Sequence, residues 1–220
     1  MATLAILPMK PFEEAKQRLD LGLAPMTRRA LAEAMFSDVL VALRRAAAVD
    51  DILVVTRDKG AQQIAGGNGA QVLDDAGSGH NAAAALGIQH ALELGYERAL
   101  LVPGDCPTLD PGEVDVLLAR DGEGERSAVI VPDRHGTGTN ALVLTPPDSL
   151  VPAFGPGSRA RHETNARAEH SVPAVVEVPT LALDVDTPED LAALRAALSA
   201  RRGGAAHTRG MLAQLHRSRN

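Results

Sequence analysis

Two carboxylates stand where apolar residues would be expected. "LALDVDTPEDLAAL", residues 181–194, reads as a buried strand running into a helix, yet it sets Asp184 and Asp186 two positions apart. Side chains two apart on a strand share a face, so the two charges lie about 6.6–7 Å apart at the backbone. At an effective dielectric of 20 their repulsion is roughly 2.5 kcal/mol. That is a large fraction of a typical net stability of about 5–15 kcal/mol. A positive group between them, a metal ion or a Lys or Arg, would relieve it. The residues that follow have an explanation of their own: Thr187 as N-cap, Pro188 as the first helical residue, Glu189 and Asp190 as an acidic first turn. Asp184 and Asp186 precede that cap and are not accounted for by it.

Other short stretches carry residues suited to charged ligands. "PMKPFEEAKQRL" brings Lys10, Lys16 and Arg18 close together, three cations that could hold a triphosphate or equally form the solvated face of a short helix. "PGDCPTL" sets Asp105 just past an apolar run, where a carboxylate can hold a hard cation through oxygen or serve only as a turn residue. Cys106 beside it reads as a small buried residue rather than a nucleophile, since no base adjoins it. In "DDAGSGHNAAAALGI", Gly77 and Gly79 permit close backbone approach to a ligand, and Asn81 could read a base edge or a ribose. An N-cap role for Ser78 or Asn81 competes with that reading. No Gly-Lys-Ser/Thr follows, which disfavours a Walker-type loop.

Two later loops look suited to anions. "HGTGTNALVL" offers Thr139 and accessible backbone N–H groups. "FGPGSRARHE" places Gly155, Gly157 and Ser158 ahead of an Arg-rich helix pattern, so that a helix N-terminus with Arg159 and Arg161 could cradle a phosphate or carboxylate. The plainer reading makes both of them ordinary turns. Seven His show no metal-ligand spacing, and neither a Gly-x-Ser-x-Gly elbow nor a Cys-x-x-Cys is present, so zinc and acyl-enzyme chemistry are disfavoured.

These residues need a scaffold that gathers loops. Strand-like runs at 3–7, 52–56, 70–73 and 98–102 alternate with helix patterns at about 27–48, 60–65, 80–94 and 111–120, which predicts an α/β fold with a parallel sheet and crossover helices. Such sheets bind ligands beyond the carboxyl ends of their strands, where the loops above begin. Leu31, Met35, Val39 and Leu43, spaced by four, mark a core face of the longest helix. After about residue 123 come runs at 127–131, 141–144, 174–178 and 181–185 separated by Gly/Pro-rich loops, which predict an antiparallel excursion over one side of the sheet.

Length suits one domain over residues 1–200. The chain is 45% hydrophobic but only 2% aromatic, with no Trp, so stacking platforms are scarce and nucleic-acid binding is not expected. Net charge is -6; the last twenty residues hold five Arg and no acid, leaving the body 17 basic against 28 acidic residues, or -11. An acidic body receives anionic ligands only with cations or basic clusters to help. Residues 201–220 open on a Gly-Gly pair with few apolar residues, which predicts a disordered basic tail, with a basic contact patch as the alternative. A single cysteine fits a reducing cytoplasm, and with no signal peptide or spanning apolar run evident, a soluble cytoplasmic protein without membrane association is expected.

Taken together, "PMKPFEEAKQRL", "PGDCPTL", "PDRHGTGTNAL", "FGPGSRARH" and "LDVDTPEDL" occur in the order seen in one nucleotidyltransferase family. From residue 4 to about 198 the chain resembles the phosphoenolpyruvate or 2-phospholactate guanylyltransferases of deazaflavin coenzyme (F-four-twenty) biosynthesis. The resemblance implies a Rossmann-like fold of the nucleotide-diphospho-sugar transferase type, a three-layer sandwich on a mostly parallel mixed sheet. It implies condensation of GTP with a small phosphorylated three-carbon acid and release of pyrophosphate. The wording of the Gly-rich loops favours phosphoenolpyruvate, giving enolpyruvoyl-2-diphospho-5'-guanosine, over 2-phospho-L-lactate or 3-phospho-D-glycerate. By the same resemblance Asp105, Asp184 and Asp186 would hold magnesium, two ions being expected, and Thr139, Gly155 and Ser158 would contact the phospho-acid. Lys10, Lys16 and Arg18 would assist at the triphosphate, with Gly79 and Asn81 toward the nucleoside. A downstream transferase that takes the unstable product is a candidate partner. A metal-dependent sugar transferase is the nearest rival, an aspartyl phosphatase and a non-catalytic nucleotide-binding module the others.

Overall fold

The computed structural model describes residues 1–14, 16, 19, 23–75, 77, 79–120 and 125–217. Its seven strands are β1 (Thr3–Pro8), β2 (Asp51–Val55), β3 (Gln71–Leu73), β4 (Arg98–Leu101), β5 (Ser127–Pro132), β6 (Thr139–Thr145) and β7 (Val172–Val175). The helices are α1 (Pro25–Arg45), α2 (Lys59–Gly67), α3 (His80–Glu93), α4 (Pro111–Ala119), α5 (Ser158–Ala168), α6 (Pro188–Ala200) and α7 (Ala206–Arg217).

The strands form one sheet in the order β3-β2-β1-β4-β6-β5-β7. β1 pairs in parallel with β2 and β4, and β5 with β7, whereas β6 runs antiparallel to both its neighbours. All six residues of β1 are buried, as both-face burial in a parallel sheet demands. Alternation sends Ala5, Leu7, Val54, Leu100 and Val143 to one face, against α1, α2 and α4. Leu4, Ile6, Val55, Leu101 and Leu142 go to the other, against α3 and α5. The molecule is thus an α/β sandwich of three layers on a mixed, mostly parallel sheet. Pro111 and Pro188 open α4 and α6 behind the caps Asp110 and Thr187, and Thr187 makes the full capping box with Asp190.

Three expectations need correction. The excursion after residue 123 does not lie over the sheet; β5, β6 and β7 extend it edgewise. Residues 181–185 form no strand, because their backbone is tied one group at a time: Arg134 N–H to the Ala182 carbonyl, the Asn140 amide to that of Leu181, and Asp186 N–H to the Asp190 carboxylate. The tail, expected to be disordered, carries α7. Leu212 packs with Leu31, Met35 and Leu198, and Asp38 of α1 accepts the N–H groups of His207 and Thr208, capping α7 from another helix. The four-residue stripe on α1 is therefore divided, with Leu31 and Met35 facing α6 and α7 while Val39 and Leu43 face the sheet. Among the described residues, no helix is long and apolar enough to cross a membrane.

Candidate active site

A cavity of about 630 Å³ opens beyond the carboxyl ends of β1 and β4, lined by Pro8, Lys10, Lys16, Leu101 and Asp105. Because β6 is reversed, its first residues, Thr139 and Asn140, reach the same end of the sheet and line the same cavity. Gly155 to Ser158, at the start of α5, close one side, and Asp184 and Asp186 another. A second cavity of about 420 Å³ shares Met9, Lys10, Glu14 and His80 with the first and continues to Arg57, Asp75 and Gly79.

The group between the acidic side chains is Lys16. Its Nζ donates to Asp105 Oδ2 and, at 3.0 Å, to Asp186 Oδ1. Only 5% of the Lys16 side chain is accessible. Burial opposes the ammonium charge, but the attraction of Asp105 and Asp186 and the hydrogen bonds to both outweigh it and hold the Lys16 pKa above its usual value. Among the described residues Asp184 makes no such pair. Burial and then the charge of Asp105 push its carboxyl up, and a hydrogen bond from Asn140 Nδ2 at 3.2 Å offsets only part of that.

Two anchored segments bring these groups together. Gly104, before Asp105, packs so closely on Met9 that a Cβ there would lie 2.2 Å from the Met9 sulfur. Thr180, ahead of the aspartates, is held to α4 through the Glu113 carboxylate at 2.7 Å. Cys106 is buried with its Sγ against the Leu181 carbonyl, and burial raises the thiol pKa well above normal, as suits a packing residue.

Among the described residues no group of three or more His, Cys, Asp or Glu side chains stands assembled for a metal ion. By chemistry the carboxylates still fit a hard divalent cation. All are oxygen donors, and the repulsion that raises Asp184 is what a cation would relieve.

The opposite wall is equally defined. Gly155 and Gly157 have φ of 118° and 69°, which side-chain-bearing residues rarely adopt. They turn the chain so that Ser158 starts α5 with its Oγ buried and without a hydrogen-bond partner among the described residues. Arg159 and Arg161 do not join an anion cradle. Arg159 bonds the Gly136 carbonyl and Glu163, and Arg161 bonds the Ala153 and Pro156 carbonyls, so both staple loops.

Of the other expected residues, Lys10 lines both cavities and has no ion-pair or hydrogen-bond partner among the described residues. Gly79 lines the second cavity and, with φ 96°, caps α3. Asn81 takes a different place from the one expected: its amide exchanges hydrogen bonds with the Phe154 backbone, at 2.7 Å from Phe154 N–H and 3.3 Å to the carbonyl, and it lines neither cavity. Arg18 and Ser78 lie outside the described residues. Sequence reading missed Asn140, which joins β6 to the aspartate segment, and His162, fully buried one helical turn after Ser158. Its position four residues along an otherwise polar helix from Ser158 was the available signal.

Comparison with known proteins places the chain in a family. Residues 3–215 match the family model described as "Guanylyl transferase CofC like". A protein of Conexibacter woesei named phosphoenolpyruvate guanylyltransferase is 55% identical over 219 residues, covering 99% of this chain and 98% of that protein. One of Colwellia psychrerythraea named 3-phospho-D-glycerate guanylyltransferase is 34% identical over 191 residues, 87% of this chain and 90% of its own length. Among solved structures, a putative nucleotide-diphospho-sugar transferase from Desulfovibrio desulfuricans superposes with a TM-score of 0.74 at 17% identity, covering 97% of this chain and 95% of that one. A 4-diphosphocytidyl-2C-methyl-D-erythritol synthase does so with a TM-score of 0.63 at 18% identity, covering 90% and 99%. At those identities the likeness concerns the fold alone.

Proposed function

Since the chain belongs to the CofC-like guanylyl transferase family, we propose that it joins the guanylyl group of GTP to phosphoenolpyruvate and releases pyrophosphate, in the biosynthesis of the deazaflavin coenzyme. The carrying observation is a single cavity with two unlike walls: Lys16 between Asp105 and Asp186 on one, the unpartnered Ser158 Oγ beside Thr139 and Gly155 on the other. The similarity to the Conexibacter woesei phosphoenolpyruvate guanylyltransferase favours this acceptor. The Colwellia psychrerythraea relative makes 3-phospho-D-glycerate the second candidate.

The chemistry asks little of a general base. An acceptor phosphate oxygen, already anionic, attacks the α-phosphorus of GTP; the new P–O bond forms as the bond to the β-phosphate's bridging oxygen breaks, and pyrophosphate leaves with that electron pair. The obstacles are converging negative charge and in-line alignment. Asp105, Asp184 and Asp186 would hold magnesium, which would supply charge neutralisation at the reacting phosphates. Lys16 and the unpartnered Lys10 add positive charge at the head of the sheet. Thr139 Oγ1, Ser158 Oγ and the backbone around Gly155 donate to the phospho-acid. The second cavity, contiguous with the first, takes the nucleoside; Arg57, ion-paired with Glu14 at 2.8 Å, and Asp75 offer a donor and an acceptor to guanine.

The deciding assay supplies purified protein with magnesium and GTP and offers phosphoenolpyruvate, 3-phospho-D-glycerate and 2-phospho-L-lactate separately, following pyrophosphate release. The enzyme that consumes the product is included so that product instability does not mask turnover. Pyrophosphate release with phosphoenolpyruvate is expected; release with only another acceptor overturns the acceptor assignment, and release with none overturns the reaction.

A further inference from the structure

His162 is fully buried, lines neither cavity, and is not among the groups that meet the reactants. Its two ring nitrogens nevertheless join the two parts of the acceptor wall. Nε2 lies 2.8 Å from the backbone N–H of Ala153, just before the Gly155–Ser158 turn. Nδ1 lies 2.9 Å from Thr139 Oγ1 on β6.

A backbone N–H can only donate, so Nε2 carries no proton. A neutral ring must then carry its proton on Nδ1 and donate it to Thr139 Oγ1. The surroundings keep the ring neutral: burial first, then the charge of Arg161, bring its pKa down to about 4. The Thr139 hydroxyl, accepting from the ring, directs its own proton elsewhere, and no other partner for it stands among the described residues. Thr139 lines the cavity, so that proton is available to an anion there.

The turn is held equally firmly. The Phe154 ring packs edge-on against His162, centroids 5.0 Å apart, and the Phe154 backbone is gripped by Asn81. Residues 153 and 154 are therefore fixed from α3 and α5, and they lead directly to Gly155 and the unpartnered Ser158 Oγ.

We propose that His162 is a positioning residue for the anionic acceptor: as the Nδ1–H tautomer it makes the Thr139 hydroxyl a donor toward the cavity and sets the distance between Thr139 and the Gly155–Ser158 turn. This deepens the acceptor reading above and rests on it for the identity of the anion, though not for the state of the ring.

The test has two arms. Nitrogen-15 NMR of the wild-type imidazole at pH 7 reads the tautomer directly and does not depend on turnover. A protonated Nδ1 with a bare Nε2 is expected, and the opposite tautomer or a doubly protonated ring overturns the proposal. The second arm measures binding of phosphoenolpyruvate by calorimetry, and KM where turnover occurs, for His162→Gln, His162→Asn, Thr139→Val and the His162→Gln/Thr139→Val double variant. Gln carries a polar atom to the Nε2 position and keeps the Ala153 contact while losing the one to Thr139; Asn does the reverse. His162→Gln should weaken phosphoenolpyruvate about tenfold, as loss of one oriented hydrogen bond to an anion does, with KM for GTP unchanged. The double variant should be no weaker than Thr139→Val alone, and His162→Asn should retain more affinity than His162→Gln. Parallel loss of both substrates in proportion to the fall in melting temperature, or full additivity of the two substitutions, overturns the positioning role. If the wild type bound and turned over no phospho-acid while showing the expected tautomer, the acceptor reading would fail, and the proposal with it; a wrong tautomer beside normal turnover would sink the proposal alone.

Discussion

At the scale of single residues, the site is a balance of charges that cannot all be content together. Lys16 pairs with both Asp105 and Asp186, one positive charge against two negative, while Asp184 is left with its pKa raised by burial and by its neighbours. A carboxylate whose folded-state pKa is raised destabilises the fold at pH values above that pKa, because folding then makes its charge costlier. Asp184→Asn keeps the shape and an acceptor for Asn140 while removing the charge. It should raise the melting temperature by about 2–4 °C, the shift that roughly 1 kcal/mol produces in a chain of this size. Under the proposed function it should also lower guanylyl transfer by at least about a hundredfold, since a group aimed at transition-state charge is lost. A variant neither more stable nor less active would contradict both halves.

His162 gives a pH dependence of the opposite kind. Its folded-state pKa of about 4 lies below the ordinary value of 6.5, so the unfolded chain takes up a proton first as the pH falls. Stability that is fully present above about pH 6.5 is therefore lost as the pH drops toward 4, by at most about 1.4 kcal/mol per pH unit for one such group. Urea denaturation of wild type and His162→Gln between pH 4.5 and 7 checks this. The variant should show a shallower decline, and equal slopes would remove His162 as its source.

At the scale of elements, the decisive feature is the direction of β6. A parallel β6 would deliver its far end to the cavity; the antiparallel strand delivers Thr139 and Asn140. The early strands and helices were legible because period and composition agree in them: the expected runs at 3–7, 52–56 and 98–102 all lie within one residue of observed strands. The 181–185 run misled because its alternation of Leu, Asp and Val imitates a strand, while its carbonyls at Leu181 and Ala182 accept from Asn140 and Arg134, which are distant in sequence. The tail misled for a related reason. Its helix lacks an N-cap of its own and borrows Asp38, 169 positions from His207. Asp38→Ala should cost about 1 kcal/mol, within the range of lost N-caps. Hydrogen exchange should then accelerate in residues 206–217 more than in β1 or β4; uniform acceleration would argue against a local cap.

At the scale of the whole molecule, the proposed function asks an acidic body to accept a tetra-anionic nucleotide and an anionic acceptor, so binding should couple to cations. GTP with magnesium at a hundredfold over its Kd should stabilise the protein by about 2.7 kcal/mol. Differential scanning fluorimetry should register this as a rise of about 5–10 °C. A chelator should abolish most of the rise, and an undiminished shift would argue that Lys16 and Lys10 suffice for the nucleotide without metal.

The sequence by itself determined the α/β class, the four βα units, the capping of α6 and the identity of the acidic and Gly-rich stretches. Those depend on neighbours along the chain: periodicity, cap chemistry and the conformational demands of Gly and Pro. It also posed the question of what lies between the paired aspartates, a metal or a basic side chain. Only the tertiary structure decided that Lys16 stands between Asp105 and Asp186, that Asn81 serves a loop, and that His162 joins Thr139 to the turn before Ser158. Those pairings close separations from 9 residues, between Ala153 and His162, to 170, between Lys16 and Asp186, and no local pattern encodes them. They exist because burial forces polar groups from separate elements to find one another.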